Sequence, residues 1–190
     1  MRLEIYLLLA ILWSLVAYIV FRFLVRGDYR DRGRLGALSS MMQLIVFLGF
    51  YGFPYLFNPP EWPWFWRLSG PTTPAIQWIG LGLICLGFLV AFGTMAWFGI
   101  ERAFGLIVGD FITQGPYRYT RNPQILGGYL MTIGIVLQWP SLQAIVWLVM
   151  YGLISHWMVI TEEEHLARIF GEEFQKYCSE VPRYLGVPPG

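Results

Sequence analysis

Long apolar runs constrain this chain more than any other feature, because a bilayer core about 30 Å thick takes roughly 20 helical residues to cross. Runs of that kind cover 5–24, 38–57, 75–98 and 142–160, and a shorter one covers 125–139. The second is interrupted by Gly49, Gly52 and Pro54, which membrane helices tolerate. Only Trp139-Pro140-Ser141 separates the fourth run from the fifth, so these two are expected to form a tight helical hairpin. The residues are 56% hydrophobic and 13% charged, against about 45–50% and 25% in soluble domains. The expected fold class is all-α: a polytopic membrane protein of five transmembrane helices. The first run is longer than the apolar part of a cleavable signal, and FRFLVRGDYRDR follows it rather than a small-residue cleavage site. It is therefore expected to be a span.

The charges sort by loop. Arg22, Arg26, Arg30, Arg32 and Arg34 surround the first connection, Arg102, Arg118 and Arg121 the third, and Arg168, Lys176 and Arg183 the tail. The second connection, NPPEWPWFWRLSGPTTP, has one Arg and an aromatic cluster suited to an interface belt. The positive-inside rule then predicts an N-terminus outside and a C-terminus in the cytoplasm, with Arg2 a minor conflict. After Thr161, apolar residues at Leu166, Ile169, Phe170, Phe174 and Tyr177 recur at helical spacing, which predicts an amphipathic C-terminal cytoplasmic helix. Thr161-x-x-Glu164 reads as a capping box for its start. Gly171 is expected to weaken or divide it, and Pro182 to end it.

A formal charge of +1 suggests no nucleic-acid partner. The two cysteines, Cys85 and Cys178, and the two histidines, His156 and His165, form no disulfide framework or metal-site spacing. No phosphate-binding glycine loop, HExxH or mid-membrane carboxylate pair is present. The chemistry instead concentrates in GPYRYTRNPQILGG, residues 115–128, and in Glu162-Glu163-Glu164. The hairpin brings both to one end of the molecule. Asn122 and Pro123 suit the cap and first turn of a helix. Arg118 and Arg121 would each, taken singly, snorkel to headgroups. Glu164 fits the capping box, whereas Glu162 and Glu163 stand evenly between a capping role and a functional one. Gly80-Leu81-Gly82 suits a helix contact. His156, ionisable within the fifth span, is a functional candidate by default.

These motifs together resemble the superfamily of integral membrane methyltransferases that act on isoprenylcysteine carboxyl groups and on phospholipid amines. The resemblance runs from about Gly80 to Leu185 and includes GLGLICLGFLVAFGTMAWFGIERAFG and TEEEHLARIFGEEFQKYCSEVPRYL. It divides the chain into an N-terminal two-helix membrane region, 1–74, and a methyltransferase core, 75–190. It implies S-adenosyl-L-methionine held in a cytoplasm-facing pocket, with a lipophilic acceptor entering from the bilayer. The cofactor contacts it implies are the backbone of Gly109, Asp110, Phe111 and Ile112, then Tyr117, Asn122, Pro123, Gln124, Ile125 and Glu162. Glu163 lies beside them, and Gly80 and Gly82 carry over from the phospholipid branch.

The cofactor's chemistry suits these residues. Glu162 would take the ammonium, Arg121 or free helix-start N–H groups the carboxylate, and Tyr117 or Tyr119 the adenine or sulfonium. No catalytic residue is expected, because methyl transfer depends on in-line placement. Asn122 stands where the isoprenylcysteine branch has His, and Gln124-Ile125 replaces its usual x-Tyr. Met158 stands where that branch has a substrate-binding arginine, with His156 nearby. The expected acceptor is therefore a phospholipid or related amine. The alternatives are an isoprenylcysteine-type carboxyl acceptor, a non-catalytic membrane scaffold and a sterol-reductase-like enzyme using NADPH.

Overall fold

The computed structural model describes residues 3–57, 71–99 and 111–186, which contain helices and no strand. The first apolar run forms α1, Leu3–Ile19, a π-helical turn, Val20–Val25, and α2, Arg26–Arg32, in unbroken succession. α3, Ala37–Phe57, and α4, Pro74–Phe98, follow. α5, Pro123–Gln138, and α6, Leu142–Glu180, complete the set. Among the described residues four helical stretches are long and apolar enough to cross a membrane, and α5 is a shorter apolar helix. The second connection's aromatic cluster and Arg102 lie outside the described residues.

Two backbone irregularities in these helices are compensated by neighbours. Pro54 lies inside α3 and cannot donate to the carbonyl four residues earlier. That carbonyl, Phe50 O, accepts instead from Trp147 Nε1 of α6 at 2.9 Å, and the two rings stack at 4.8 Å. In the π turn, Phe21 O receives the Thr161 hydroxyl at 3.3 Å. Both crossings tie α6 to the N-terminal helices, around a core that includes Tyr6, Phe21, Phe53, Ile154 and Val159.

α4 and α5 run antiparallel with their backbones in close approach. A Cβ on Gly80 would lie 2.6 Å from Gly134 O, and one on Gly127 would lie 2.6 Å from Gly87 O and Ala91 N. The facing pairs 80/134 and 87/127 are spaced seven residues apart on each helix, a small-residue seam of the kind that lets membrane helices pack closely. The α5–α6 hairpin is tight, and the Ser141 side chain caps α6 by accepting from Ala144 N at 3.1 Å.

The expected C-terminal tail is helical, but it starts as a continuation of α6 rather than at a cap of its own. α6 continues through Thr161 without a break as far as Gly171, where it kinks, and helix then resumes to Glu180. There is no capping box, because Thr161 and Glu164 are mid-helix and their side chains serve α1's extension. Arg22 Nη1 donates to Thr161 Oγ1 at 3.1 Å, and Arg22 and Arg26 hold Glu164 at 2.9 and 2.7 Å. The division expected at Gly171 is present as a kink with φ 49° and ψ −118°. At about 1.5 Å per residue, residues 142–160 alone span roughly the hydrocarbon thickness. The helix is therefore long enough to extend past the bilayer core at its Thr161 end.

Candidate active site

The chain between α4 and α5 enters the site through Gly115 (φ 61°) and a short 3-10 turn, Gly115–Arg118. Tyr117 is buried there. Its carbonyl accepts from Tyr177 Oη at 2.7 Å and its hydroxyl from Gln124 Nε2 at 2.8 Å. Burial, and then the charge of Glu162, push its phenol upward, so it remains a neutral ring.

After α6 ends, residues 181–186 fold back across this corner as a strap. Arg121 N donates to Pro182 O at 2.9 Å. Asn122 Nδ2 and Thr120 Oγ1 donate to Arg183 O at 3.0 and 3.3 Å. Asn122 thus occupies the cap position of α5, but its side chain makes no cap bond, because the strap uses it. Arg121 does not snorkel: its side chain is 6% exposed and pairs with Glu163 at 3.2 Å. Arg183 grips the same carboxylate at 2.6 Å, which holds the Arg183 guanidinium above its ordinary value.

Beside this corner lies a cavity of about 520 Å³, lined by Tyr117, Arg121 and Asn122 among others. Of the expected site residues, Phe111, Ile112, Tyr117, Arg121, Asn122, Gln124, Ile125, Met158, Glu162 and Glu163 line it. Tyr117 and Glu162 therefore face one hollow. Pro123 is buried at the first turn of α5 and supports the wall without lining it. Gly80 packs on α5, and Gly82 also stands away from the cavity. His156 meets the Tyr184 hydroxyl at 3.3 Å rather than the hollow, and Tyr119 points outward at 77% exposure. Gly109 and Asp110 lie outside the described residues.

Glu162 differs from its neighbours. It projects into the cavity and, among the described residues, has no hydrogen bond or ion pair. Its surface is open to the hollow while protein surrounds it. That burial, and then the charge of Glu163, push its carboxyl up to about 7. Aromatic rings line the walls nearby: Phe111 contacts Phe170, Phe174 and Tyr177 at centroid distances of 4.9, 5.8 and 5.2 Å. The far lobe is walled by Leu44, Phe47 and Leu48 of α3 and by Ala91, Phe92 and Met95 of α4.

Tyr29 of α2 and His165 of α6 are among the lining residues that the sequence reading does not anticipate. Their rings stack at 4.0 Å with 9° between planes. His165 carried a signal, since it lies three residues after Glu162 and so shares its helix face. Tyr29 carried none, because only tertiary packing brings α2 to the site.

A family model described as phospholipid methyltransferase matches residues 75–173, more than half of the chain. The protein-S-isoprenylcysteine O-methyltransferase of Schizosaccharomyces pombe is 27% identical over 121 residues, covering 59% of this chain and 49% of the relative. The chain thus spans about half the length of that curated relative. No solved structure matches it. The match across α4, α5 and most of α6, on the segments that carry the corner and the glutamates, places the chain in the phospholipid methyltransferase family.

Proposed function

We propose that this protein is an integral membrane methyltransferase that uses S-adenosyl-L-methionine and methylates a lipophilic amine, a phospholipid headgroup first. The observation that carries the reading is Glu162: an unpartnered carboxylate on the wall of an aromatic cavity, beside two glutamates already neutralised by arginines. The carboxylate opens into the hollow with no cation beside it among the described residues, so the site suits a ligand that brings one. The residues fit this cofactor. Glu162 binds its ammonium. The free N–H groups of α5's first turn and Arg121, whose buried Nε lacks an acceptor, suit its carboxylate. Tyr117 and the Phe111 cluster offer ring faces to adenine and sulfonium. When bound, the cofactor supplies an electrophilic methyl group, and the protein's part is to hold the acceptor in line and exclude water.

The acceptor class follows from charge. Among the described residues, Arg121 is the one arginine lining the cavity, and Glu163 engages it. Met158 lines the hollow where an arginine would hold a carboxylate. An amine needs no such partner, and the α3–α4 lobe suits an acyl chain. The printed activity of the fission-yeast relative favours a carboxyl acceptor as the second reading. The arginine-rich end that holds Glu162 is assigned to the cytoplasm, with the N-terminus outside. The deciding experiment incubates purified protein with labelled cofactor and a total lipid extract, then identifies by mass what gains a methyl group. Products confined to amine lipids are expected, and a methyl ester instead would establish the second reading. Absence of both transfer and cofactor binding would favour a scaffold.

A further inference from the structure

We propose that His165 is the proton acceptor for the substrate amine, its ring nitrogen taking the N–H proton before the methyl group is transferred. This rests on the amine reading above. A primary alkylammonium loses its proton near pH 10, as lysine does, so at neutral pH only about one molecule in a thousand carries the lone pair that attacks. The site must contain a group that removes the proton, and an imidazole is suited to this near pH 7.

His165 is placed for the task. It lines the cavity, lies three residues after Glu162 on the same face of α6, and is only 6% exposed. Its imidazole has no hydrogen-bond partner among the described residues, so its ring nitrogens are uncommitted. The stack on Tyr29 at 4.0 Å fixes the ring plane without using either nitrogen. The Tyr29 phenol of α2 stacks on it, Arg168 of α6 acts on its charge, and Glu162 of α6, whose charge reaches Tyr29, lines the same hollow. Burial and then the Arg168 charge hold the imidazole below its ordinary value, so it is neutral at pH 7 with a ring nitrogen free to accept a proton. The other histidine, His156, is engaged with Tyr184 and does not line the hollow.

The step balances. The ammonium proton passes to the imidazole. The freed nitrogen pair forms the new bond to the methyl carbon, and the pair of the broken carbon–sulfur bond stays on sulfur. His165 then releases the proton to water, for one proton per methyl transferred.

The test compares wild-type protein with His165→Gln in bilayers containing an ethanolamine-headgroup phospholipid, from pH 6 to 10, with labelled cofactor. Calorimetry of cofactor binding checks that the variant's site is intact. At pH 7 kcat should fall about 10²–10⁴-fold, and the gap should close to within about tenfold at pH 10, where free amine exists without a base. A kcat within about threefold of wild type at pH 7 overturns the proposal. So does a loss equal at both pH values, which would mark a structural role. Wild-type protein that methylates no amine lipid sinks the amine reading itself, and the proposal with it. If the variant does not fold, a second measurement decides. In a His156→Gln background His165 is the single imidazole, and its ring-nitrogen NMR titration should coincide with the rising limb of kcat. A mismatch of more than about one pH unit overturns the assignment.

Discussion

Glu162, Glu163 and Glu164 are adjacent in the chain and differ in what neutralises them. Glu164 faces α1's extension and meets Arg22 and Arg26. Glu163 faces the strap and meets Arg121 and Arg183. Glu162 faces the cavity and meets neither. The hundred-degree step of a helix thus directs three like charges to three surroundings, and only one is left for a ligand. Replacing Glu162 with Gln should weaken cofactor binding by about 1.5–3 kcal/mol, the worth of a charge-assisted bond; unchanged affinity in calorimetry would remove the residue from the site. The raised carboxyl value makes a second outcome readable. The protonated form prevails in the ligand-free protein below about pH 7, so Glu162's contribution to stability is present at low pH and lost as pH rises through 7. A bound cation reverses that preference and expels the proton. Binding at pH 7 should therefore release about half a proton, measured by calorimetry in buffers of different ionisation enthalpy, and the Gln variant should release none.

At the level of helices, the sequence made the spans and the hairpin legible because apolar length and turn residues are local signals. It did not show where α6 ends. Thr161 and Glu164 have the spacing of a cap, and only the π turn of another helix shows that they serve Phe21, Arg22 and Arg26 instead. Tyr117, Asn122 and Glu162 were legible as a group, whereas His156 was favoured over His165 because periodicity does not say which face a cavity occupies. Pro54 offers a test of the crossing repair. Trp147→Phe keeps the ring stack but strands Phe50 O, at about 1–3 kcal/mol. Pro54→Ala in that background returns a backbone donor to the same carbonyl, so the double variant should be more stable in detergent melts than Trp147→Phe alone. Strict additivity would mean that the Trp147 bond does not compensate for the proline. Gly171 makes a comparable case. Its dihedrals suit glycine alone, and the kink precedes Phe174 and Tyr177, which line the site. Gly171→Ala should cost more than about 1 kcal/mol and weaken cofactor binding as well. Weakened stability with full affinity would separate the kink from the site.

Across the whole molecule, the family match begins at residue 75, yet the cavity takes walls from before that point: Val25 and Tyr29 near the corner, and Leu44, Phe47 and Leu48 along the far lobe. The boundary proposed between 74 and 75 therefore separates the family's shared corner from a part that shapes what the corner receives. On the proposed function, the α3 residues would bear on which acceptor the site takes, because they wall the cavity from outside the matched region. Leu44 is where that idea can be tested. It lines the cavity and is 45% exposed, so a larger side chain there would narrow the opening of the hollow. A tryptophan there narrows the opening without touching Glu162, Tyr117 or the strap. Leu44→Trp should raise KM for a diacyl acceptor several-fold, leave KM for a short-chain analogue near wild type, and leave cofactor affinity unchanged. Equal effects on long and short acceptors would mean that chains do not pass between α3 and α4, and the lobe would then be a packing defect rather than a lipid path.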